Sequence, residues 1–589
     1  MARGSYLRRR DPLPLTFAVT VLARDPGVLD ARSTGADRRI LRAEVRIPAS
    51  RLEPGPRGPR FHVVDFDASR RKLGDPAVVT ASDGAGAPDG WAFKDRFKKA
   101  ADQHLLTDPA FRAQNVYAIA ARTLDVFEHA LGRPVPWAFD SPHLYLVPTA
   151  FLEANAYYAD DDQAVYFGYF TAADGSPVYT CLAHDIVAHE TTHAILDGLR
   201  SRFDVPGNAD QAGFHEGFAD VVALLSILSA TETTAALLGD PRHARIKAED
   251  LSVRALRQSV LVTIGKQFGD ALHLNRGGGL RRSVELAPTK AWRDDDNQEW
   301  DEPHRRGEIF AAAVMQAFLR MWVKRVEPLE GAGTVDRLRA AEEGARAAGH
   351  LLEMVIRAID YCPAVEFEFD DFLTALLAAD AEVAPDDESG YRLAVQHAFA
   401  EFGIEPARGR QQRKAQPSFA NFSAAALRSD PNEAFRYVWD NAAYLGIDPG
   451  YYLHVESVRP ATRVGPRGFV VFETVVDYVQ ELILTCAEFD ERSGQPALAG
   501  AFPGLAQFGP DTQLKLWGGG SIIFDEFGIV KYHHCKPIDD WKRQHRRLKY
   551  LVRHGLWDTR KRLGFSYGIP LGQRFAQFHE SAAGAGEDW

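Results

Sequence analysis

The sequence predicts an α+β multidomain protein. A mainly helical core adjoins a β-rich edge region, flanked by a β-rich N-terminal domain and a mixed α/β C-terminal domain. Three observations predict this. The chain has 589 residues, which at roughly 150 per domain means three or four domains. Apolar and polar residues alternate near both ends, whereas from Cys181 to about Gly403 the apolar residues recur at helical spacing. With 46% apolar and 25% charged residues, the chain can bury a large core.

Residues 1–80 read as the N-terminal domain. Leu15, Phe17, Val19 and Val21 alternate with Thr16, Ala18 and Thr20, and Leu41, Ala43, Val45 and Ile47 alternate with Arg42, Glu44 and Arg46. Arg8 to Arg10 ahead of this apolar stretch imitates a secretory signal, but the period-two pattern and two prolines favour a strand. The run Ala81 to Gly90 is rich in Gly, Ala and Asp and reads as a linker. Residues 91–404 form the central region, with a mixed strand and helix half (91–178) and a helical half (179–404). A helix is predicted from Pro109 to Leu131, with Phe111, Val116, Ile119, Phe127 and Leu131 roughly on one face and Gly132 and Pro134 ending it. Leu144, Leu146 and Val147 suggest a strand, and Ala164 to Phe170 another. A second linker is read at Glu405 to Gln416, followed by a C-terminal accessory domain at 417–589. That domain has a strand at Phe469 to Phe472 and a hairpin joining Ser521–Phe524 to Ile529–Tyr532. Gly277 to Gly279 and Gly518 to Gly520 lack nucleotide-binding spacing and read as loops.

Sixty-nine Lys and Arg against 80 Asp and Glu leave a formal charge of -11, which repels a polyanion, so nucleic acid is not an expected partner. No run approaches 18 uninterrupted apolar residues, so no membrane span is expected. Four scattered cysteines (Cys181, Cys362, Cys486, Cys535) make no disulfide framework. They fit a reducing, cytoplasmic compartment without closing off secretion.

The chemistry concentrates in His189-Glu190-Thr191-Thr192-His193, set in apolar helical flanks. Four residues of helix carry the second histidine one turn up the same face, so both imidazoles can address one metal ion. Glu190, on the flank of that face, is placed to reach a water on the metal. A further helical segment, Asp210 to Leu225, carries Glu216 and Asp220 four apart on one face. One carboxylate can complete a His, His, Glu set around tetrahedral zinc, and the other can accept the free ring N–H of a ligating histidine.

This constellation resembles the gluzincin metallopeptidases, in particular the thermolysin-like ones, whose HExxH is followed some twenty residues later by a Glu ligand with Asp four beyond. The resemblance implies one Zn2+ held by His189, His193 and Glu216, with Asp220 behind a ligand and Glu190 as general base in peptide-bond hydrolysis. Upstream, Asn155-Ala156-Tyr157-Tyr158 followed by Val165-Tyr166-Phe167-Gly168 is similar to the family's edge strand, which implies that Asn155 and Ala156 hold an extended peptide substrate. Downstream, Glu302-Pro303-His304 resembles the segment of the family's active-site histidine, so His304 would steady the oxyanion. Leu280-Arg281-Arg282-Ser283 resembles the element that contacts the substrate carbonyl through Arg281. The resemblance covers about residues 142 to 315.

Two departures stand against these matches. No tyrosine lies between Ala194 and His215, where the family often places a further oxyanion donor. Asp185 matches a calcium position, but Ser226 to Leu238 offers only Glu232, so calcium is not predicted. Lys531 to Arg562 holds eleven Lys or Arg against three Asp, either a docking face for an acidic partner or a solvated helix face with Leu548, Leu551 and Val552 inward. His533 and Cys535 read as structural rather than as a second metal site. The sequence therefore leaves three readings: a zinc endopeptidase; a zinc-stabilised binding or scaffold protein, against which the intact Glu190 argues; and an enzyme acting on something other than a peptide, which rests on the unassigned ends.

Overall fold

The computed structural model describes residues 16–23, 40–50, 52–78, 95–172, 175–200, 202–203, 207–240, 242–260, 283–294, 297–407, 422–465, 468–494, 509–554 and 556. Helices are mixed with several separate sheets. The linker expected at 81–90 lies outside these residues, as does most of that at 405–416. The first alternating segments are β1 (Thr16–Leu22) and β2 (Arg42–Pro48), an antiparallel ladder with Thr16 opposite Pro48. After the short helix α1 (Asp102–Thr107), α2 (Pro109–Leu131) matches its expected limits. Asp108 caps its start by accepting from Ala110 N, Pro109 occupies the first turn, and Gly132 ends it at φ 69°. Asn115 of α2 joins two layers, accepting from Leu22 N at 2.9 Å and donating to Cys181 O at 3.0 Å.

The central sheet is mixed. β3 (Phe61–Val63) pairs in parallel with β6 (Leu144–Leu152), which pairs in parallel with β8 (Ala164–Thr171). β8 pairs antiparallel with β7 (Ala156–Ala159) and with β9 (Pro177–Tyr179). β4 (Phe66–Asp67) and β5 (Lys72–Leu73) form a separate small pair. β7 stands at the edge of the central sheet.

α3 (His184–Leu199) packs against β7 of this sheet, and after it in the chain come α4 (Ala209–Leu228), α5 (Thr231–Leu237), α6 (Pro303–Val326), α7 (Arg337–Ala358), α8 (Phe369–Val383) and α9 (Tyr391–Glu401). A two-stranded link, β10 (Arg245–Lys247) with β11 (Thr334–Asp336), ties α5 to α7. α4 and α6 cross at glycines. A β-carbon on Gly217 would stand 2.6 Å from Gly307 O, and one on Gly307 would stand 2.8 Å from Gly213 O. Gly217→Ala is therefore expected to force the helices apart and cost about 1–3 kcal/mol. Denaturant unfolding reads this directly, and an unshifted midpoint would contradict so close a crossing.

The C-terminal part begins with α10 (Ala424–Leu427), α11 (Pro431–Asp440) and α12 (Ala442–Leu445). They lead into an antiparallel sheet of β12 (Tyr452–Val464), β13 (Val470–Thr485), β14 (Gln513–Phe524) and β15 (Val530–Lys536), with α13 (Cys486–Ser493) and α14 (Trp541–Arg553) beside it. The expected hairpin is β14 with β15, Ser521 opposite His534. Gly518 to Gly520, expected as a loop, instead lie within β14. A β-carbon on Gly518 would sit 2.7 Å from Ile538 N and one on Gly520 2.3 Å from His534 O, so these glycines serve close backbone approach.

One contiguous apolar core runs from Phe17 in β1 through the helices to Val475, Ile523 and Tyr532 in the C-terminal sheet. Buried ion pairs accompany it. Arg200, capping the end of α3, donates to Ile359 O at 3.1 Å and pairs with Asp477 of β13 at 2.6 Å. Asp360 is flanked by Arg133 at 2.6 Å and Arg463 at 2.5 Å. Much of the basic segment meets its carboxylates inside the chain: Lys536 pairs with Glu368 and Asp371, Arg543 and Arg547 with Glu366, and Arg553 with Asp301. Leu548 and Leu551 face inward, and residues 557–562 lie outside the described residues. His533 Nε2 meets Tyr478 OH at 2.8 Å in the core, a structural contact. No single helix among the described residues is long and apolar enough to cross a membrane.

Candidate metal centre

α3 is buried along nearly its whole length, which is unusual for a helix carrying so many polar residues. Two of these satisfy themselves: the hydroxyls of Thr191 and Thr192 donate to Val187 O and Ala188 O, each at 2.7 Å. His189, Glu190 and His193 are left to meet groups beyond the helix. The four-residue spacing stacks the imidazoles so that His189 Nε2 and His193 Nε2 stand 3.0 Å apart. α4, capped by Asn208 accepting from Gln211 N, presents Glu216 to the same point. Glu216 Oε2 is 3.5 Å from His189 Nε2, and Oε1 is 3.8 Å from His193 Nε2.

Ligands of a tetrahedral ion bound at about 2.0–2.1 Å stand about 3.3 Å from one another. The three observed separations bracket that value. Among the described residues this is the one group of three or more His, Cys, Asp or Glu with ligand atoms mutually within 4.8 Å.

The chemistry of the donors fits an ion as well as their spacing does. Asp220 Oδ1 lies 3.0 Å from His189 Nδ1, which places the ring proton there and turns the Nε2 lone pair inward. Lone pairs then converge from two imidazoles and a carboxylate, an arrangement that calls for a cation. In the metal-free protein a proton takes that part. Burial pushes the charged His189 ring down, but hydrogen bonds to Asp220 and Glu216 outweigh it and carry its pKa up to about 10.

A pH dependence follows. Because the folded pKa of His189 lies above its ordinary 6.5, its contribution to metal-free stability is complete below pH 6.5 and is lost as pH rises through about 10. At pH 7 the protonated ring must give up its proton to become a ligand. Metal uptake at that pH is thus expected to release protons, read as a buffer-dependent calorimetric enthalpy. Equal enthalpies in buffers of different ionisation heat would refute this.

Glu190 is fully buried, and its Oε2 accepts from Tyr158 N of the edge strand β7 at 3.1 Å. The Tyr158 hydroxyl in turn donates to Asp197 of α3 at 2.8 Å, so β7 is fastened to the metal helix at both ends of one residue. Tyr158 N points away from β8. Since backbone groups alternate along a strand, Ala156 O points the same way. Asn155 Oδ1 accepts from Ala156 N at 2.8 Å, which fixes the start of that edge.

His304 reaches the site from the first turn of α6, with Nε2 3.4 Å from Glu216 Oε2. It is not part of the set of mutually close ligand atoms. Glu302 holds it there. Its Oε1 accepts from His304 Nδ1 at 2.8 Å and from His304 N at 3.1 Å, while Oε2 accepts from Arg305 N at 2.7 Å. Burial opposes charge on His304, but Glu216 and Glu302 prevail and raise its pKa above the ordinary histidine value. Burial likewise opposes ionisation of Glu302, yet its bond to His304 holds its pKa below the usual carboxylate range.

The structure thus brings together His189, His193, Glu216, Asp220, Glu190 and His304 from three helices, with Ala156 on the adjoining strand and Asn155 immediately before it. Arg281 lies outside the described residues. Sequence reading missed Glu302, although a helix-start signature marks it: an acceptor side chain followed by Pro303 in the first turn. It also missed Tyr158, whose contribution to Glu190 is a backbone N–H that no residue type announces. No protein-family model matches the chain, and neither does any curated protein compared with it.

Proposed function

We propose that the chain is a zinc-dependent endopeptidase of the gluzincin, thermolysin-like kind, in which His189, His193 and Glu216 hold the ion. The observation that carries this reading is Glu190. It sits beside a ligand histidine, fully buried and anchored to a strand, where a purely structural metal has no use for it. When bound, zinc supplies Lewis acidity, polarising a carbonyl and acidifying a water.

The chain's own residues do the rest. Glu190 accepts a proton from the attacking water and passes it to the leaving amine, with the Tyr158 N–H fixing the plane of its carboxylate. His304 presents Nε2, since Nδ1 is committed to Glu302, and its raised pKa favours the charged form that donates to an oxygen gaining charge. An extended peptide pairs with the outward edge of β7 through Ala156 O, with its backbone rather than its side chains setting its position.

The deciding experiment is metal analysis of the purified chain coupled to cleavage of a peptide library, before and after chelation. The reading requires one zinc per chain, internal cleavage, loss on chelation and recovery on adding zinc back. Cleavage that persists in the stripped protein would sink it, as would a zinc-loaded chain that hydrolyses no peptide.

A further inference from the structure

α14 starts inside the C-terminal part and ends at the turn that leads into α6. Near its start Arg543 and Arg547, both buried, meet Glu366, and Gln544 donates to Trp517 O at 2.8 Å and to Ile538 O at 3.1 Å. Leu548 and Leu551 are buried along its length. The helix is thus a strut with a fixed base. Ten residues beyond Arg543, about 15 Å along a helix, Arg553 Nη1 reaches Asp301 Oδ2 at 3.0 Å, and His554 Nε2 stands 3.2 Å from the same oxygen.

Asp301 immediately precedes Glu302, whose carboxylate holds His304. The turn Gln298–Trp300 closes on it, with Asp301 N donating to Gln298 O at 3.1 Å. Among the described residues the Asp301 carboxylate, 16% exposed, is met by α14 alone. Burial opposes its ionisation, yet the bonds to His554 and Arg553 hold its pKa below the usual carboxylate range. Without those bonds a half-buried anion has no partner, and the turn that carries it must shift toward water to hydrate it. The body of α6 cannot follow, because Arg306 pairs with Asp210 of α4 at 2.7 Å and Gly307 meets α4 at close approach. The shift therefore falls on Asp301 and Glu302, and through Glu302 on the Nδ1 side of His304.

We propose that Arg553 and His554 are positioning residues of the candidate site: through Asp301 they set where Glu302 holds His304, so that the C-terminal part of the chain completes the catalytic geometry. This rests on the peptidase reading above, in which His304 faces the oxygen that gains charge.

Steady-state cleavage and amide hydrogen exchange of the full zinc-loaded chain test it together. Replacing both residues, Arg553→Ala with His554→Ala, is expected to lower kcat about tenfold and to leave KM within about twofold. The loss is smaller than the roughly 10²–10³ for removing an oxyanion donor, because His304 is loosened rather than lost. Arg553→Lys, which keeps a cation at Asp301, should retain most of kcat. On a His304→Ala background the double substitution should cost nothing further, since it acts through that ring. Exchange should quicken about tenfold at His304 N and Arg305 N, the amides from which Glu302 accepts, and stay unchanged in α3. Asp301→Asn weakens the same contact from the other side and decides the matter if the double variant fails to fold. Undiminished kcat, a loss confined to KM, a further loss on the His304→Ala background, or unaltered exchange at the start of α6 would each overturn this role while wild-type cleavage persists. A wild-type chain that cleaves no peptide would overturn the peptidase reading and this role with it.

Discussion

Glu190→Gln is expected to leave the zinc content of the chain unchanged while peptide cleavage falls by about 10²–10⁴-fold, the usual worth of a positioned general base. The substitution separates chemistry from architecture. Glutamine keeps a carbonyl oxygen to accept from Tyr158 N, now at 3.1 Å from Glu190 Oε2, so β7 stays fastened to α3. It keeps the volume of a side chain that is fully buried and removes a charge that burial penalises. Folding stability should therefore hold or rise. Glu190→Ala lacks these properties, because it strands the Tyr158 N–H and opens a cavity. The measurement is steady-state cleavage of a peptide substrate beside zinc content and thermal melting of the same sample. Undiminished turnover by the glutamine variant would remove the proton-shuttle role, and lost zinc would mean that Glu190 serves the metal directly.

The candidate metal triad and its helices were legible in the sequence because they depend on local spacing. His189 and His193 lie one turn apart in a helix, and Glu216 and Asp220 repeat that relation in another. The crossing that brings the helices together was not legible. It rests on Gly213, Gly217 and Gly307 meeting across a long separation in sequence, and a glycine inside a helical pattern does not say what approaches it. The same limit applied to Gly518–Gly520, where a run that looks like loop composition makes room for neighbouring backbone inside a strand. The destination of the basic segment was hidden for a related reason. Charge runs near the C-terminus suggest solvent or a foreign partner, whereas Glu366, Glu368 and Asp371, some 170 residues earlier, take up those cations within the chain. Arg200 shows what this does for the site, since the helix carrying both histidines ends on a salt bridge to the C-terminal sheet.

Glu216→Ala is expected to cost more metal affinity than any substitution behind the ligands, because it withdraws at once a donor atom and the carboxylate that faces three histidines. Glu216 faces His189 and His193 from the opposite helix, and its Oε2 is also the carboxylate oxygen 3.4 Å from His304 Nε2. Two imidazoles from one helix turn remain, an incomplete shell for an ion that takes three protein donors at a reactive site. Asp220→Asn supplies the comparison. It leaves all three donors in place and only weakens the acceptor 3.0 Å from His189 Nδ1, a change worth about 10- to 100-fold in affinity. Competition with a chromophoric chelator should therefore rank wild type above Asp220→Asn and Asp220→Asn above Glu216→Ala. Proton release gives an independent check. Both substitutions take away a group that raises the pKa of His189, so each variant should release fewer protons than wild type when zinc is added at pH 7. If Asp220→Asn instead proved the more damaging, Asp220 would have to be the ligand and Glu216 the group behind it, and the geometry of the whole centre would need to be redrawn around His189 Nδ1.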